Sequence, residues 1–444
     1  MITPARRRPK APGLIRMMAT LTAAIVPALA SASPVTAQTD SPLEREIILK
    51  RASGLSVVAQ AELRGRAGAE LVEHLQPGGM ELVRVRLGEV GEALGELRRH
   101  PGVIYAEVNR PVALQGAEPL FGRLWGFRNR GQAIRGVEGR RDADTDVDVA
   151  WRASRGSGQA VAMVDSGVNL EHEDLRDVVR RNPGESGGGR EGNRRDDDRN
   201  GYVDDWRGWD FTGHGAGDNR PADYNGHGTH TAGTVAAEDN GRGVVGVGSQ
   251  ARIVPLRVTD ALGRGKLSDL ARAFDYAGRL GIGVVNASVA GDGTSRALRD
   301  VMASHPDTLY VTSAGNSGRD VDVKPQTPCA ETSPNVVCVG ASTNREQAAG
   351  FSNYGDRSVD LFAPGLEVLS SYRAGGYGYL SGTSMAAPHV AGALALMRER
   401  AARRDARSLK AALLGRTDRR AAYSGRSLSG GRLNAARAVA AMGQ

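Results

Sequence analysis

From Ala160 onward the chain alternates short, wholly apolar runs of strand length with longer stretches whose apolar residues recur at helical spacing, and few folds satisfy that pattern. Strand-like runs fall at Val161–Val164, Ile253–Val258, Val284–Val285, Leu309–Thr312 and Val336–Val339. Helical stretches follow His227 and cover Leu267–Leu280, Ala297–Ser304 and about Met385–Ala402. A strand that is apolar on both sides must be covered on both faces, and strands separated by helices pair in parallel. The expectation is therefore an α/β domain, a parallel sheet with helices on both faces. Upstream, Glu46–Lys50, Leu82–Leu87 and Val103–Val108 read as strands, with Ala61–Leu75 and Val90–Arg99 as helices. Together they make a small α+β unit ending near Val112, followed by a linker containing Gly116 and Pro119.

The first segment is of another kind. Arg6, Arg7, Arg8, Lys10 and Arg16 precede an apolar stretch from Met17 to Ala30, and small residues at Ala28-Leu29-Ala30 and Val35-Thr36-Ala37 offer cleavage positions. That layout is a secretory leader over residues 1–37. No later run reaches the ~20 apolar residues of a membrane span, so the expected product is exported, extracellular and without a membrane anchor. The leader also explains the charge. Of the net +8, residues 1–37 carry +5, residues 38–117 carry −1 and residues 118–444 carry +4. A nucleic-acid partner is therefore not expected, and no recognition motif accompanies the basic residues. Two cysteines cannot build a zinc site alone. In an oxidising compartment Cys329 and Cys338, nine apart around Pro334, are expected to close a local disulfide.

Three short motifs stand where a parallel sheet delivers chemistry, at strand ends and helix starts. Val161-Ala162-Met163-Val164-Asp165-Ser166-Gly167 is a buried strand that ends on a carboxylate. Asn225-Gly226-His227-Gly228-Thr229-His230 is a Gly-rich turn opening a helix of small residues, and Gly382-Thr383-Ser384-Met385-Ala386-Ala387-Pro388-His389 presents a hydroxyl at the start of an apolar helix. Each alone is weak, since a strand-end Asp is often a turn residue and a helix-start Ser often a cap. Together they hold what nucleophilic acyl transfer needs: a serine, an imidazole to take its proton, and a carboxylate to fix the imidazole's tautomer.

On these motifs the chain resembles the subtilases, the subtilisin-like serine peptidases, over everything that follows the leader. The resemblance implies a subtilisin-like sheet and a serine endopeptidase acting on polypeptides through an acyl-enzyme. It assigns Asp165 as the orienting carboxylate, His227 as general base and Ser384 as nucleophile, with His230 and His389 left to packing. Ser313-Ala314-Gly315-Asn316 matches the family's oxyanion segment, making Asn316 the side-chain donor beside the Ser384 N–H. The run Ser288, Val289, Ala290, Gly291 matches the substrate-binding strand, although the family usually has leucine and two glycines after the serine. An altered first pocket is the implied consequence. His100-Pro101-Gly102-Val103 to Asn109 resembles the inhibitory propeptide. The domains are thus expected as leader 1–37, propeptide 38–117 and peptidase 118–444, a monomer made as a zymogen and cut between about Val112 and Pro119. A non-catalytic protein on the same scaffold is disfavoured, because every catalytic position holds a competent residue.

Calcium is expected on two grounds. Asp196, Asp198 and Asn200 alternate ahead of Gly201, the opening of an EF-hand-type loop, but Arg207 stands where the closing glutamate belongs, leaving Asp205 to close the site. A second set, Asp174 and Asn240 with carbonyls of Glu238, Arg242 and Val244, follows from the resemblance. Its remaining ligand is not assigned from sequence, though Asp142, Asp144 and Asp146 are available.

Overall fold

The computed structural model describes residues 46–75, 78–86, 89–109, 118–213, 217–401 and 405–443. The leader and most of the expected propeptide cleavage stretch lie outside them. Residues 118–443 are organised on a nine-stranded sheet. In spatial order its strands are Asp418–Arg419, Gly431–Arg432, Leu361–Pro364, Val336–Ser342, Leu309–Ser313, Val284–Ala287, Ala160–Asp165, Arg252–Arg257 and Trp209–Asp210. Every pairing is parallel except the edge pair of Asp418–Arg419 with Gly431–Arg432.

The side-chain alternation shows why the strand sequences are apolar throughout. Val161, Met163, Val284, Val311, Val337 and Val339 face one core with the helices His227–Ala236 and Thr383–Arg400. Ala162, Val164, Val285 and Tyr310 face the other, under Leu267–Arg279 and Arg296–Ser304. Burying a side chain of this size contributes about 1.5–3 kcal/mol, so a polar residue on either face costs stability. The helix Thr383–Arg400 is enclosed all round, buried without a break from Met385 to Met397. That is why its small and apolar residues show no polar stripe. Among the described residues no helix is long and apolar enough to cross a membrane.

Residues 46–109 form their own four-stranded antiparallel sheet, ordered Glu70–Leu75, Met80–Arg84, Glu46–Arg51, Val103–Val108. The helices Val57–Arg66 and Val90–Arg99 supply Leu63 and Leu97 to a core with Ile47, Leu49 and Val83. One expectation is corrected here. The helix read over Ala61–Leu75 stops at Arg66, where the Ala69 N–H closes back on the Arg64 carbonyl at 2.9 Å, and Glu70–Leu75 is a strand.

Candidate active site

The sheet winds in two directions from its centre. From Ala160–Asp165 the chain goes to one side, to the edge strand Trp209–Asp210 and then Arg252–Arg257, before it crosses to Val284–Ala287 on the other side and continues outward. The reversal opens a crevice at the carboxyl ends of the two central strands, the usual ligand position of such sheets. Ala287 sits opposite Val164, so Asp165 and Ser288 emerge side by side at that crevice.

Asp165 is 1% exposed and accepts from the Ser166 N–H at 2.7 Å and the Thr231 hydroxyl at 3.1 Å. Its Oδ1 lies 2.6 Å from Nδ1 of His227, the first residue of the helix His227–Ala236. The next residue must be glycine, because a Cβ on Gly228 would fall 2.0 Å from the Gly167 carbonyl oxygen. Burial works to lower the His227 pKa, but the charge and hydrogen bond of Asp165, with the charge of Asp223, outweigh it and hold it above the ordinary histidine value. Asp223 is a residue the sequence reading passed over. It accepts from the N–H groups of Gly226 and Thr229 and so fixes the start of this helix. An acidic residue shortly before a helix start was the available signal.

Ser384 lies in the first turn of the helix Thr383–Arg400. Pro388, one turn later, has no N–H to give the Ser384 carbonyl. The Ser288 hydroxyl fills that place at 2.9 Å and itself accepts from the Asn286 carboxamide at 3.1 Å. In return the Ser384 hydroxyl donates to the Ser288 carbonyl at 3.3 Å. Ser288 thus supports the serine from both sides. Asn316 turns its Oδ1 to the Thr383 N–H at 2.8 Å and hydroxyl at 3.0 Å. Its Oδ1 is thereby spent on Thr383, and among the described residues no hydrogen-bond partner takes its NH₂ group. His230 and His389 are fully buried and neutral. Burial lowers His230 to about 3 and His389 to about 4, and their rings bond the carbonyls of Val368 and of Met385.

A cleft of about 560 Å³ opens beside Asp165 and His227, lined by the predicted run Ser288, Val289, Ala290 and Gly291 and floored by Val258, Leu267 and Leu270. Gly291–Asp292 pairs antiparallel with Gln326–Thr327, and Ala290 and Gly291 stay exposed. An open strand edge above an apolar floor is suited to an extended peptide.

The acidic loop gathers differently from expectation. Ligand oxygens of Asp196, Asp198 and Glu185 lie within 4.8 Å of one another. Glu185 was not foreseen; it is fully buried, and its Oε2 has no partner. Asp205 is not one of this set; its oxygens accept from Tyr276, Asn200 and Asn182, and Asn200 donates its Nδ2 to Asp198 and Asp205. In the second set Asp174 is fully buried with Oδ1 unpartnered, and Asn240 lies across the Glu173 carbonyl. Glu118, not foreseen from sequence, accepts from the Gly241 N–H and keeps a buried, partnerless Oε2. Asp144 and Asp146 are engaged elsewhere, by Asn129 and Asn434. Burial raises Glu118 to about 8 and Asp174 to about 7. Buried carboxylates with orphaned oxygens fit a hard cation, which would neutralise them. Cys329 and Cys338 stand at bonding distance, Sγ–Sγ 2.08 Å with Cα atoms 4.9 Å apart.

Sequence profiles agree with this geometry. The subtilase family matches residues 156–431, and the fervidolysin N-terminal prodomain matches residues 30–109, beginning inside the segment read as leader. A thermophilic serine proteinase of a Bacillus species (strain AK1) is 31% identical over 367 residues, covering 80% of this chain and 78% of that one. Thermitase of Thermoactinomyces vulgaris is 33% identical over 293 residues, 65% of this chain and 91% of its own. Among solved structures, proteases from Pseudoalteromonas arctica superpose with a TM-score of 0.59 at 27% identity, over 73% of this chain and 98% of theirs. A cold-adapted subtilisin-like serine proteinase gives 0.53 at 29%, over 70% and 98%.

Proposed function

The chain belongs to the subtilase family of serine endopeptidases and carries a prodomain of the fervidolysin type, and from that premise we propose that it is an exported, autoprocessed zymogen acting through an acyl-enzyme. The observation that carries the mechanism is the 2.6 Å contact between Asp165 and His227 at the crevice where Ser288 holds the Ser384 hydroxyl. In the proposed reaction a polypeptide lies along Ser288–Gly291, and the Ser384 hydroxyl leaves the Ser288 carbonyl to attack the scissile carbonyl. His227 takes its proton while Asp165 holds the Nδ1–H and stabilises the imidazolium. The oxyanion is met by the Asn316 NH₂ group and the Ser384 N–H. The imidazolium then protonates the leaving amine, and water repeats the sequence on the ester. The prodomain would occupy the same cleft until cut, and the Cys329–Cys338 bond would form after export.

Hydrolysis of an internally quenched peptide across a pH series tests this reading. His227 must be neutral to act as a base, and its pKa is raised, so kcat/KM climbs through a limb lying above ~6.5 and reaches its plateau on the alkaline side. A profile flat through the histidine range would remove His227 from the role.

Calcium is proposed at both carboxylate sets, Glu185 with Asp196 and Asp198, and Glu118 with Asp174 and Asn240. When bound it would hold loops together and take no part in bond making. At a hundredfold excess over Kd one such site adds about 2.7 kcal/mol. Chelation is then expected to lower Tm by roughly 5 °C or more in a domain of this size. Glu185→Gln should shift the calcium midpoint of that effect at least ~10-fold, since it removes a buried charge from the ligand set. A Tm indifferent to chelator would sink the assignment.

A further inference from the structure

We propose that Asn353 is a positioning residue for catalysis, setting the backbone on which Asn316 is held; this rests on the reading of Asn316 as oxyanion donor. A donor of that kind works only where it already stands at the place the charge will form. Asn316 sits in a loop leaving the strand Leu309–Ser313, and its own Oδ1 bonds to Thr383 fix which way its amide faces. Thr383 also takes the Gly315 N–H at 2.9 Å, but the main chain on both sides of residue 316 is held by a second residue.

Asn353 is fully buried, 37 residues further along the chain. Its main-chain N–H donates to the Gly315 carbonyl at 2.9 Å and its Nδ2 to the Ala314 carbonyl at 2.8 Å. Its Oδ1 accepts from the N–H groups of Ser317 at 3.0 Å and Arg319 at 3.1 Å. These four bonds bracket residue 316 on both sides and leave it alone. The second Nδ2 hydrogen goes to Gln326 Oε1 at 2.6 Å, on the strand that pairs with the recognition edge Gly291–Asp292.

Both donors and both acceptor positions of the carboxamide are therefore used, which is the full capacity of an asparagine. Aspartate lacks the donors, serine lacks the reach, and glutamine is one methylene too long. The contact is also close. Gly315 has φ +98°, and a Cβ there would lie 2.5 Å from the Asn353 nitrogen and 2.0 Å from Gln326 Oε1. One side chain thus ties the oxyanion loop to the wall of the substrate cleft. A shift of order 1 Å in that loop is enough to cost roughly 100-fold in rate.

The test is a double-mutant cycle on the full chain, allowed to mature, with kcat, KM and Tm for Asn353→Asp in the parent and in an Asn316→Ala background. Asn316→Ala alone should lower kcat roughly 100- to 1000-fold, the loss known for the corresponding donor of a subtilisin. Asn353→Asp should lower kcat roughly 10- to 100-fold with KM within about twofold, and by less than about threefold once Asn316 is gone. Equal losses in the two backgrounds, or an unchanged kcat in the parent, would overturn the proposal. Activities are read well below each variant's Tm, so a merely weakened fold does not imitate the effect. Asn353→Ser carries the same comparison should the aspartate variant fail to fold. If Asn316→Ala is as active as the parent, the oxyanion reading itself is wrong; if it is impaired but uncoupled to residue 353, only the present proposal fails.

Discussion

Replacing Ser384 by alanine is expected to leave the chain with its propeptide attached, while the parent, expressed beside it with calcium, loses a segment ending near residues 112–119. Intact mass reads the difference directly. The alanine keeps the helix start, the Ser384→Ala N–H and the Ser288 bond to the carbonyl of that position, so the fold and the cleft should persist. What disappears is the hydroxyl that donates to the Ser288 carbonyl at 3.3 Å, the atom assigned to attack. On a separate peptide substrate kcat should fall roughly 10⁶-fold, the loss found for the nucleophile of a subtilisin. A residual rate of roughly 10³–10⁴ over water should remain from the oxyanion donors and binding. Processing of both proteins alike would assign maturation to an outside protease, and comparable turnover by the variant would remove Ser384 from the role.

The parts of this molecule that could be read from sequence are those written in local patterns. Strand and helix alternation after Ala160 gave a sheet covered on both faces because burial on each side forces continuous apolar runs such as Val161–Val164. The three motifs could be read because each places its residue at a strand end or helix start, where the backbone sets the direction of the side chain. Local pattern also misled. Leu63, Ala67, Leu71 and Leu75 repeat at helical spacing, yet the chain takes φ +60° at Gly68, two residues after Arg66, and continues as a strand.

Residues that act across the chain left no such trace. Glu118 reaches the loop at Gly241, and Asn353 reaches Ala314 to Arg319. Glu185 meets Asp196 and Asp198 although it lies outside their alternating pattern. None of the three has a neighbour in sequence that marks its work. Each is recognised instead by what burial does to a polar group: an orphaned carboxylate oxygen calls for a cation, and a carboxamide with every bond filled fixes whatever it touches. The Ser288 bond to the Ser384 carbonyl belongs to both kinds. Pro388 announces in sequence that a helical hydrogen bond is missing, and only the fold shows which residue replaces it.

Asp165→Asn should be damaging too, though roughly 100-fold less so than loss of the nucleophile, and for a different reason. The substitution preserves volume at a site that is 1% exposed, so packing against Thr231 and the Ser166 N–H can survive. The charge cannot. As carboxylate, Asp165 accepts from the His227 Nδ1–H at 2.6 Å, which leaves Nε2 as the base. An asparagine that turns its NH₂ group to the imidazole favours the other tautomer, with the proton on Nε2 and no lone pair there for the serine. The expected loss in kcat is roughly 10⁴-fold, with KM little changed because the residue does not touch substrate. A second signature separates this from general damage. With the carboxylate gone, the larger of the forces raising the His227 pKa is removed and burial, which lowers it, is left opposed only by Asp223. The acid limb of kcat/KM should therefore move to lower pH than in the parent, even as the plateau falls. A variant with kcat within about tenfold of the parent would contradict the tautomer argument. A large loss with the limb unmoved would mean that Asp165 shapes the site without setting the charge of His227.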